Sequence, residues 1–313
     1  MADAYTGSAA IAGLVTTAYD RAVAQKNRHR VLLRSLPDKH LVDPTHAGDT
    51  FRLFFQNELA ESSSELTELV DPDAVAVPNV TPLDVGFREF GRTVFRTKKL
   101  DLTSMTKIDP MIVNALSRDQ AVSLDNEVGT IAYGGTNVEY GGAATSTATI
   151  ATTHLIKGQD VREIVTKLRT NAADPRVGDL YVAYVHPHVA LDLRTATGAN
   201  EWRDDHKYTS PDMFWAGATG VYEGALFVES ARMKVANGGV GGLVDVYSNL
   251  FVGSEALAEV VWEEPHTLIG EIPVDKLQRH RPFSWYGALN WKRYREENLF
   301  RFEAAASLGN NAA

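Results

Sequence analysis

Residues 57–84 read NELAESSSELTELVDPDAVAVPNVTPLD, and residues 85–102 continue VGFREFGRTVFRTKKLDL. The first stretch lacks lysine and arginine but holds seven carboxylates: Glu58, Glu61, Glu65, Glu68, Asp71, Asp73 and Asp84. The second stretch carries five basic side chains: Arg88, Arg92, Arg96, Lys98 and Lys99. An acidic tip that projects from the body is out of reach of its own basic return leg. The pattern therefore predicts an ionic contact with another copy of the same chain, and hence an assembly protein.

The residues that flank the acidic stretch alternate as β-strands do. Residues 51–55 read FRLFF, and a second alternating run extends from Val85 to Leu102. The two runs predict the legs of one long antiparallel hairpin, whose tip is too long for a tight turn. Arg88, Arg92 and Arg96 are all even-numbered, so a regular strand places them on one face. A solvated surface loop is the alternative interpretation of the tip.

Composition narrows the class of protein. The chain has 313 residues, of which 44% are hydrophobic and 23% charged, as in ordinary globular proteins, and this length predicts two or more subdomains. It has no cysteine, which excludes disulfides, thiolate metal sites and a thiol nucleophile. A net charge of −9 argues against tight coating of nucleic acid but is compatible with enclosing it. No run reaches the roughly eighteen apolar residues of a membrane span, so we expect a protein of the cytoplasm in which it is made.

The N-terminal region predicts an amphipathic helix over residues 9–34, ended by Leu36-Pro37-Asp38. Basic side chains crowd the second half of this helix. These side chains are Arg21, Lys26, Arg28, Arg30 and Arg34. They indicate either a solvated helical face or a subunit contact.

The rest of the chain predicts a long helix followed by a mixed α/β domain. Asp109-Pro110 is typical of a helix start, and an apolar stripe from there to Tyr133 predicts a spine helix about 35 Å long. Glycine pairs at 134–135 and 141–142 predict a flexible connector, and the Ala/Thr/Ser-rich segment that follows predicts a domain boundary. Further predicted elements are a helix around residues 161–168, strands at 180–185, 220–229 and 243–252, and long strands within 282–306 beside the spine helix.

Patterns for catalysis are weak. The glycine-rich loop lacks the Lys-Ser/Thr pair of a phosphate-binding loop, and neither a Gly-x-Ser-x-Gly elbow nor a His-Glu-x-x-His pair occurs. His186-Pro187-His188 is more typical of histidines that bond to the backbone at a strand end than of metal ligands. Asp204-Asp205-His206 could hold a hard cation, but the flanking Arg203 and Lys207 favour a charged loop. We predict no catalytic residue, no metal and no cofactor.

Nine short segments carry a family resemblance. They are TAYDR (17–21), VDPDAVAVP (70–78), FGRTV (90–94), LDLTS (100–104), IDP (108–110), YGGTNV (133–138), HPHV (186–189), HKYTSP (206–211) and GVYEG (220–224). In this order they resemble the major capsid proteins of tailed bacteriophages with the Hong Kong 97-type fold, particularly the branch found in many actinobacterial phages. Each segment is weak alone, but their order is specific, and the resemblance covers nearly the whole chain.

The resemblance implies an α+β protein with the parts of that fold. These are an N-terminal arm at 1–48, an E-loop hairpin at 49–100, a peripheral domain at 101–150 and 265–313, and an axial domain at 151–264. It implies hexamers and pentamers that close into an icosahedral shell around double-stranded DNA, within a virion assembled in the host bacterial cytoplasm. The implied partners are other copies of the chain, a separate scaffold protein, a portal and a decoration protein, without sequence-specific DNA binding.

The predicted subunit contact follows from the charges and from this fold. Each acidic E-loop, with Glu58, Glu61, Glu65, Glu68, Asp71 and Asp73, is expected to lie across a neighbour's basic surface. The expected counter-charges are Arg88, Arg92, Arg96, Arg28, Arg30 and Arg34. Some members of the family crosslink through an E-loop lysine, but no lysine lies between Lys39 and Lys98, so we expect noncovalent contacts.

Two other functions are alternatives to a phage capsid protein. They are an encapsulin-like compartment and a metal-dependent hydrolase that uses residues 204–206.

Overall fold

The computed structural model of the protein describes residues 32–42, 48–55, 79–103, 109–196, 220–269, 277 and 279–309, and scattered positions between 59 and 77. Four helices lie in this part: α1 (Lys98–Thr103), α2 (Asp109–Tyr133), α3 (Gly158–Thr170) and α4 (Pro187–Thr195). Thirteen strands lie there too: β1 (Asp38–Leu41), β2 (Thr50–Phe55), β3 (Thr81–Gly86), β4 (Glu89–Thr97), β5 (Val138–Tyr140), β6 (Tyr181–Val185), β7 (Val221–Tyr222), β8 (Ala225–Glu229), β9 (Val235–Asn237), β10 (Asp245–Val252), β11 (Leu257–Ile269), β12 (His280–Arg293) and β13 (Leu299–Ala304).

A four-stranded sheet and the long helix α2 form one half of the structure. The strand order is β1-β11-β12-β4, with β1 parallel to β11 and the other neighbours antiparallel. The apolar stripe of α2 packs against β11 and β12 in one buried cluster: Leu116, Leu124, Val128, Val261, Leu289 and Trp291. The predicted spine helix is confirmed with both of its expected ends. None of the described helices is long and apolar enough to cross a membrane.

A seven-stranded sheet forms the other half. Its strand order is β5-β13-β10-β6-β8-β7, and β9 pairs with the part of β10 that β6 leaves unpaired. Helices α3 and α4 cover one face through a second buried cluster that includes Val161, Ile164, Val189, Phe227 and Phe251. The opposite face contributes Val182 and Leu250 to the cluster under α2, so both sheets share that core. The predicted helix at 161–168 and strands at 180–185 and 243–252 are confirmed. The predicted strand at 220–229 is instead two short antiparallel strands, β7 and β8.

The predicted long hairpin is wrong in its pairing. Strand β2 pairs with the short β3, and the main part of the basic return leg, β4, pairs instead with β12. The return leg also ends earlier than predicted, because Lys98 begins α1. Alternation identifies a strand and its two faces, but it does not identify the partner, and β12 lies about two hundred residues farther along the chain.

The glycine-rich connector is also more ordered than predicted. Residues 138–140 form β5, which pairs in parallel with β13. Strand pairing likewise joins segments that the expected domain limits separate, since β13 lies in one sheet with β6, β8 and β10, and β11 pairs with β12. The domain limits themselves remain a prediction. Of the predicted helix at 9–34, residues 9–31 lie outside the described part, and Leu33–Ser35 form a short 3-10 turn before β1.

Candidate subunit-contact surfaces

The base of the β2–β3 hairpin is fixed to the body. Leu53 and Val85 are buried against Ala258 and Val260 of β11. Arg52 donates two hydrogen bonds to Asp84, at 2.5 Å and 2.9 Å, so the two legs are clamped by a bidentate pair. This pair, mainly through its hydrogen bonds, lowers the pKa of Asp84 and raises the pKa of Arg52. The excursion between residues 56 and 80 therefore begins from a rigid root.

The described carboxylates of the excursion are exposed. They are Glu61, Glu65, Glu68 and Asp71, and none of them pairs with a basic side chain in the part of the chain that the structure describes. Glu58 and Asp73 lie outside that part. The excursion also exposes apolar side chains, including Leu66 at 76%, Val75 at 79% and Val77 at 61%. The sequence analysis missed these exposed apolar side chains because it considered only the charged residues of the stretch.

The arginines of the return leg have partners within the same chain. Arg88 lies 3.2 Å from Glu127 and Arg92 lies 2.7 Å from Asp119, while Arg96 pairs with Asp109. The three acidic partners all lie on α2, which runs beside β4. The prediction that the three arginines share one face is confirmed, but that face meets the acids of α2. The expectation that the basic leg is left without local counter-charges is therefore wrong.

Exposure separates the three arginines. The side chains of Arg88 and Arg92 are 47% and 63% exposed, whereas that of Arg96 is only 13% exposed. The guanidinium of Arg96 also lies over the ring of Phe283 at 5.8 Å. Arg88 and Arg92 thus keep surface that a second chain can reach, while Arg96 is largely committed to its own subunit.

Arg34 ties the N-terminal segment to both α2 and β11. Its backbone N–H donates to Asp125 at 3.1 Å, and its guanidinium lies 3.2 Å from Glu259 and 3.4 Å from Glu264. Asp125 and Glu259 are almost fully buried. The guanidinium of Arg34 compensates for the buried charge of Glu259, and that of Arg232, 3.3 Å from Asp125, compensates for the charge of Asp125. Sequence reasoning missed both carboxylates, because burial of a charged residue has no local signal. Arg28 and Arg30 lie outside the described residues.

The prediction that the histidines bond to the backbone at a strand end is confirmed for His186, whereas the ring of His188 contacts a side-chain hydroxyl. The Nδ1 atom of His186 accepts from the backbone N–H of His188 at the start of α4, and the backbone N–H of His186 donates to Asn249 at 3.1 Å. His188 Nδ1 lies 3.0 Å from the hydroxyl of Tyr247. Burial, with smaller effects of Asp245 and Asp192, raises the pKa of Tyr247. These contacts cap a helix and fill a core.

The candidate cation site at residues 204–206 lies outside the described part of the chain. Among the described residues, no group of three or more histidine, aspartate or glutamate side chains is placed to hold a metal ion.

Solved structures resemble this fold over nearly its full length. The capsid of cyanophage Pam1 matches with a TM-score of 0.75 at 14% identity, covering 98% of this chain and all of that one. The capsid of Ralstonia phage GP4 matches with a TM-score of 0.74 at 14% identity, covering 94% and 96%. Mycobacterium phage Che8 matches with a TM-score of 0.62 at 12% identity, covering 92% and 97%.

The chain has the Hong Kong 97-type fold. The predicted α+β class and capsid fold are confirmed over nearly the whole length of the chain. No protein-family model and no curated protein matches the sequence. Within the Hong Kong 97-type fold, the actinobacterial branch remains a prediction, since the matches include phages of cyanobacteria and Ralstonia.

Proposed function

We propose that this chain is a major capsid protein: a structural subunit that assembles into hexamers and pentamers and closes an icosahedral shell around the double-stranded DNA of a tailed phage. The observation that carries the proposal is the match of the whole chain, with almost nothing left over on either side, to capsid chains of several phages. A protein that shared only part of this fold with the capsid chains would match them over only part of its own length.

The features of the chain agree with a structural role. Several of its described charged side chains form ion pairs that join separate elements, such as Arg34 with Glu259 and Arg96 with Asp109. Its histidine pair caps a helix. The proposal accordingly includes no catalytic activity and no cofactor.

The proposed contact between subunits is made by the E-loop excursion. Its exposed carboxylates and exposed valines extend from a root that the Arg52–Asp84 pair holds together. A neighbour's Arg88 and Arg92 are the better counter-charges, because their side chains are 47% and 63% exposed although both are paired within their own chain. Each exposed pair contributes about 0–1 kcal/mol, but a closed shell repeats it at every subunit.

The remaining partners follow from the proposed role. They are a separate scaffold protein, a portal and a decoration protein, with the shell located in the virion after assembly in the host cytoplasm. Because no lysine lies between Lys39 and Lys98, the excursion cannot supply a lysine crosslink. The proposed shell is therefore held by noncovalent contacts.

The experiment that tests the function is expression of the chain with and without its neighbouring phage genes, followed by size-exclusion chromatography and negative-stain microscopy. Particles are then treated with nuclease and assayed for protected DNA. Closed shells that protect DNA when the phage genes are present support the proposal. Closed shells that enclose host enzymes and no DNA would instead identify an encapsulin-like compartment, and a lone monomer that binds metal would identify a hydrolase.

A further inference from the structure

Asn237 is followed by Gly238, and this is the one Asn-Gly pair in the sequence. Asn237 is the last residue of β9, a strand of three residues whose side chains are all exposed. The chain then continues as Gly-Gly-Val-Gly-Gly, with positive φ angles of 69° at Gly241 and 70° at Gly242. An exposed asparagine thus stands at the junction of a short strand and a glycine-rich loop.

An Asn-Gly pair can react with itself. The backbone nitrogen of the glycine attacks the side-chain carbonyl carbon of the asparagine, a new C–N bond forms, and the side-chain nitrogen leaves as ammonia. Water then opens the resulting cyclic imide at either carbonyl and gives aspartate or isoaspartate. The net change consumes one water and releases one ammonia, and it needs neither an oxidant nor a cofactor. Glycine favours the attack because it has no Cβ to shield its nitrogen.

The attacking nitrogen of Gly238 is held by a short-range backbone hydrogen bond. The N–H of Gly238 donates to the carbonyl of Ala236 at 2.8 Å, and this bond closes a turn of three residues around Asn237. It is the one backbone bond that must open before the nitrogen can attack, and it lies at the end of a strand, where bonds fray first.

The far side of the loop is fixed. The N–H of Gly239 donates to Val244 at 3.1 Å, and the N–H of Val240 donates to Ile150 at 2.9 Å. Ile150 is fully buried. These bonds hold the loop in place, so rearrangement at Asn237 is local and does not require the domain to unfold.

We infer that Asn237 is a site of spontaneous deamidation, which adds a negative charge to the β9–β10 pair as the protein ages. In the ladder, Asn237 is the direct partner of Asp245. Deamidation replaces a neutral amide opposite this carboxylate with a second carboxylate, and like charges directly opposite each other destabilise a strand pair. Isoaspartate also lengthens the backbone by one carbon atom, which breaks the register of a strand that has only three pairs.

The test is incubation of the folded protein at mildly alkaline pH and 37 °C, followed by trypsin digestion and mass spectrometry. The peptide 235–276 should gain about 1 Da with time, and fragmentation should place the gain at Asn237 and show both aspartate and isoaspartate. Two asparagines serve as internal controls: Asn249, which is buried in the same peptide, and Asn171, which is exposed but followed by alanine.

The inference is supported if Asn237 converts faster than both controls in the folded chain, and if the Asn237→Gln variant shows no gain in that peptide. It is overturned if Asn237 converts no faster than Asn171 while the folded chain is intact and yet converts readily in denaturant. The structural consequence has its own readout. Asn237→Asp should speed hydrogen exchange of the β9 amides relative to Asn237→Gln, and equal exchange in the two variants would contradict the proposed repulsion from Asp245.

Discussion

Arg92 and Asp119 form a 2.7 Å ion pair that joins the edge strand β4 to α2, and the other carboxylate oxygen of Asp119 accepts from Trp285 Nε1 at 2.9 Å. One carboxylate thus connects an exposed arginine to a buried indole of β12. The basic face of β4 is therefore part of the internal structure of the subunit, and any contact with a neighbour must share guanidiniums that already have partners.

Replacing Asp119 separates its two roles. Asp119→Ala leaves the buried indole N–H of Trp285 without an acceptor and should lower the free energy of unfolding by about 1–3 kcal/mol. Asp119→Asn keeps an acceptor oxygen and loses only the exposed ion pair, so it should cost about 0–1 kcal/mol. Urea unfolding of the purified subunit measures both values, and equal losses would show that the contact with Trp285 contributes nothing.

Arg34 should be the most important of the predicted contact arginines for the stability of the isolated subunit. Arg34→Ala leaves Glu259, whose side chain is only 4% exposed, without its counter-charge, and we expect a loss of about 3 kcal/mol. Lys39→Ala is the matched control, because it removes a pair with Glu264 in which both side chains are about half exposed. That loss should be about 0–1 kcal/mol. Similar losses for the two variants would contradict the role assigned to Glu259.

Two glycines near the hairpin should differ in their tolerance of a side chain. A Cβ at Gly91 would lie 2.8 Å from the backbone oxygen of Trp285, so Gly91→Ala must push β4 away from β12 and should cost about 1–3 kcal/mol. Gly86 has no atom within 4 Å of the same position. Gly86→Ala should therefore leave the unfolding midpoint nearly unchanged. A neutral Gly91→Ala would mean that β4 and β12 are farther apart than described.

The clamp at the root of the hairpin should depend on pH. Because the pKa of Asp84 is lowered in the folded state, its stabilising effect is complete above the ordinary range of a carboxyl group and is lost as the pH falls through the lowered value. An NMR titration should give Asp84 a pKa below that of an unperturbed aspartate. Arg52→Ala should return it toward the ordinary value, and an unchanged titration in that variant would show that the pair does not form in solution.

The acidic excursion is tested by charge reversal. Glu61, Glu65 and Glu68 changed together to lysine should impair assembly while the subunit stays folded, because the three side chains are exposed. Reversal of Glu163, Asp179 and Glu297 is the control, since these exposed carboxylates lie outside the hairpin and the net charge changes equally. Light scattering reports assembly and circular dichroism reports folding. Normal particles of normal stability from the hairpin variant would refute the proposed contact.

Local periodicity predicted many of the helices and strands, but it did not predict the pairing of strands that are far apart in the sequence. Local sequence alone predicted a helix from the apolar stripe between Val113 and Ile131. It also predicted a buried strand from the apolar run Tyr181–Val185. The partner of β4 is set by contacts with β12 that no local pattern contains.

The candidate contact surface was limited in the same way. The one-faced arrangement of Arg88, Arg92 and Arg96 followed from their spacing, but the acids of α2 that meet them depend on how α2 and β4 pack. The buried carboxylates Asp125 and Glu259 were missed for this reason too, because only the tertiary structure removes them from water.

The most direct test of the central claim is a cryo-electron micrograph of the purified protein at high concentration. A shell subunit should form rings of five or six copies, or closed icosahedral particles built from them, with the excursion between residues 56 and 80 resting on a neighbouring subunit. A uniform population of monomers, with neither rings nor shells even when the phage's other head proteins are present, would contradict it.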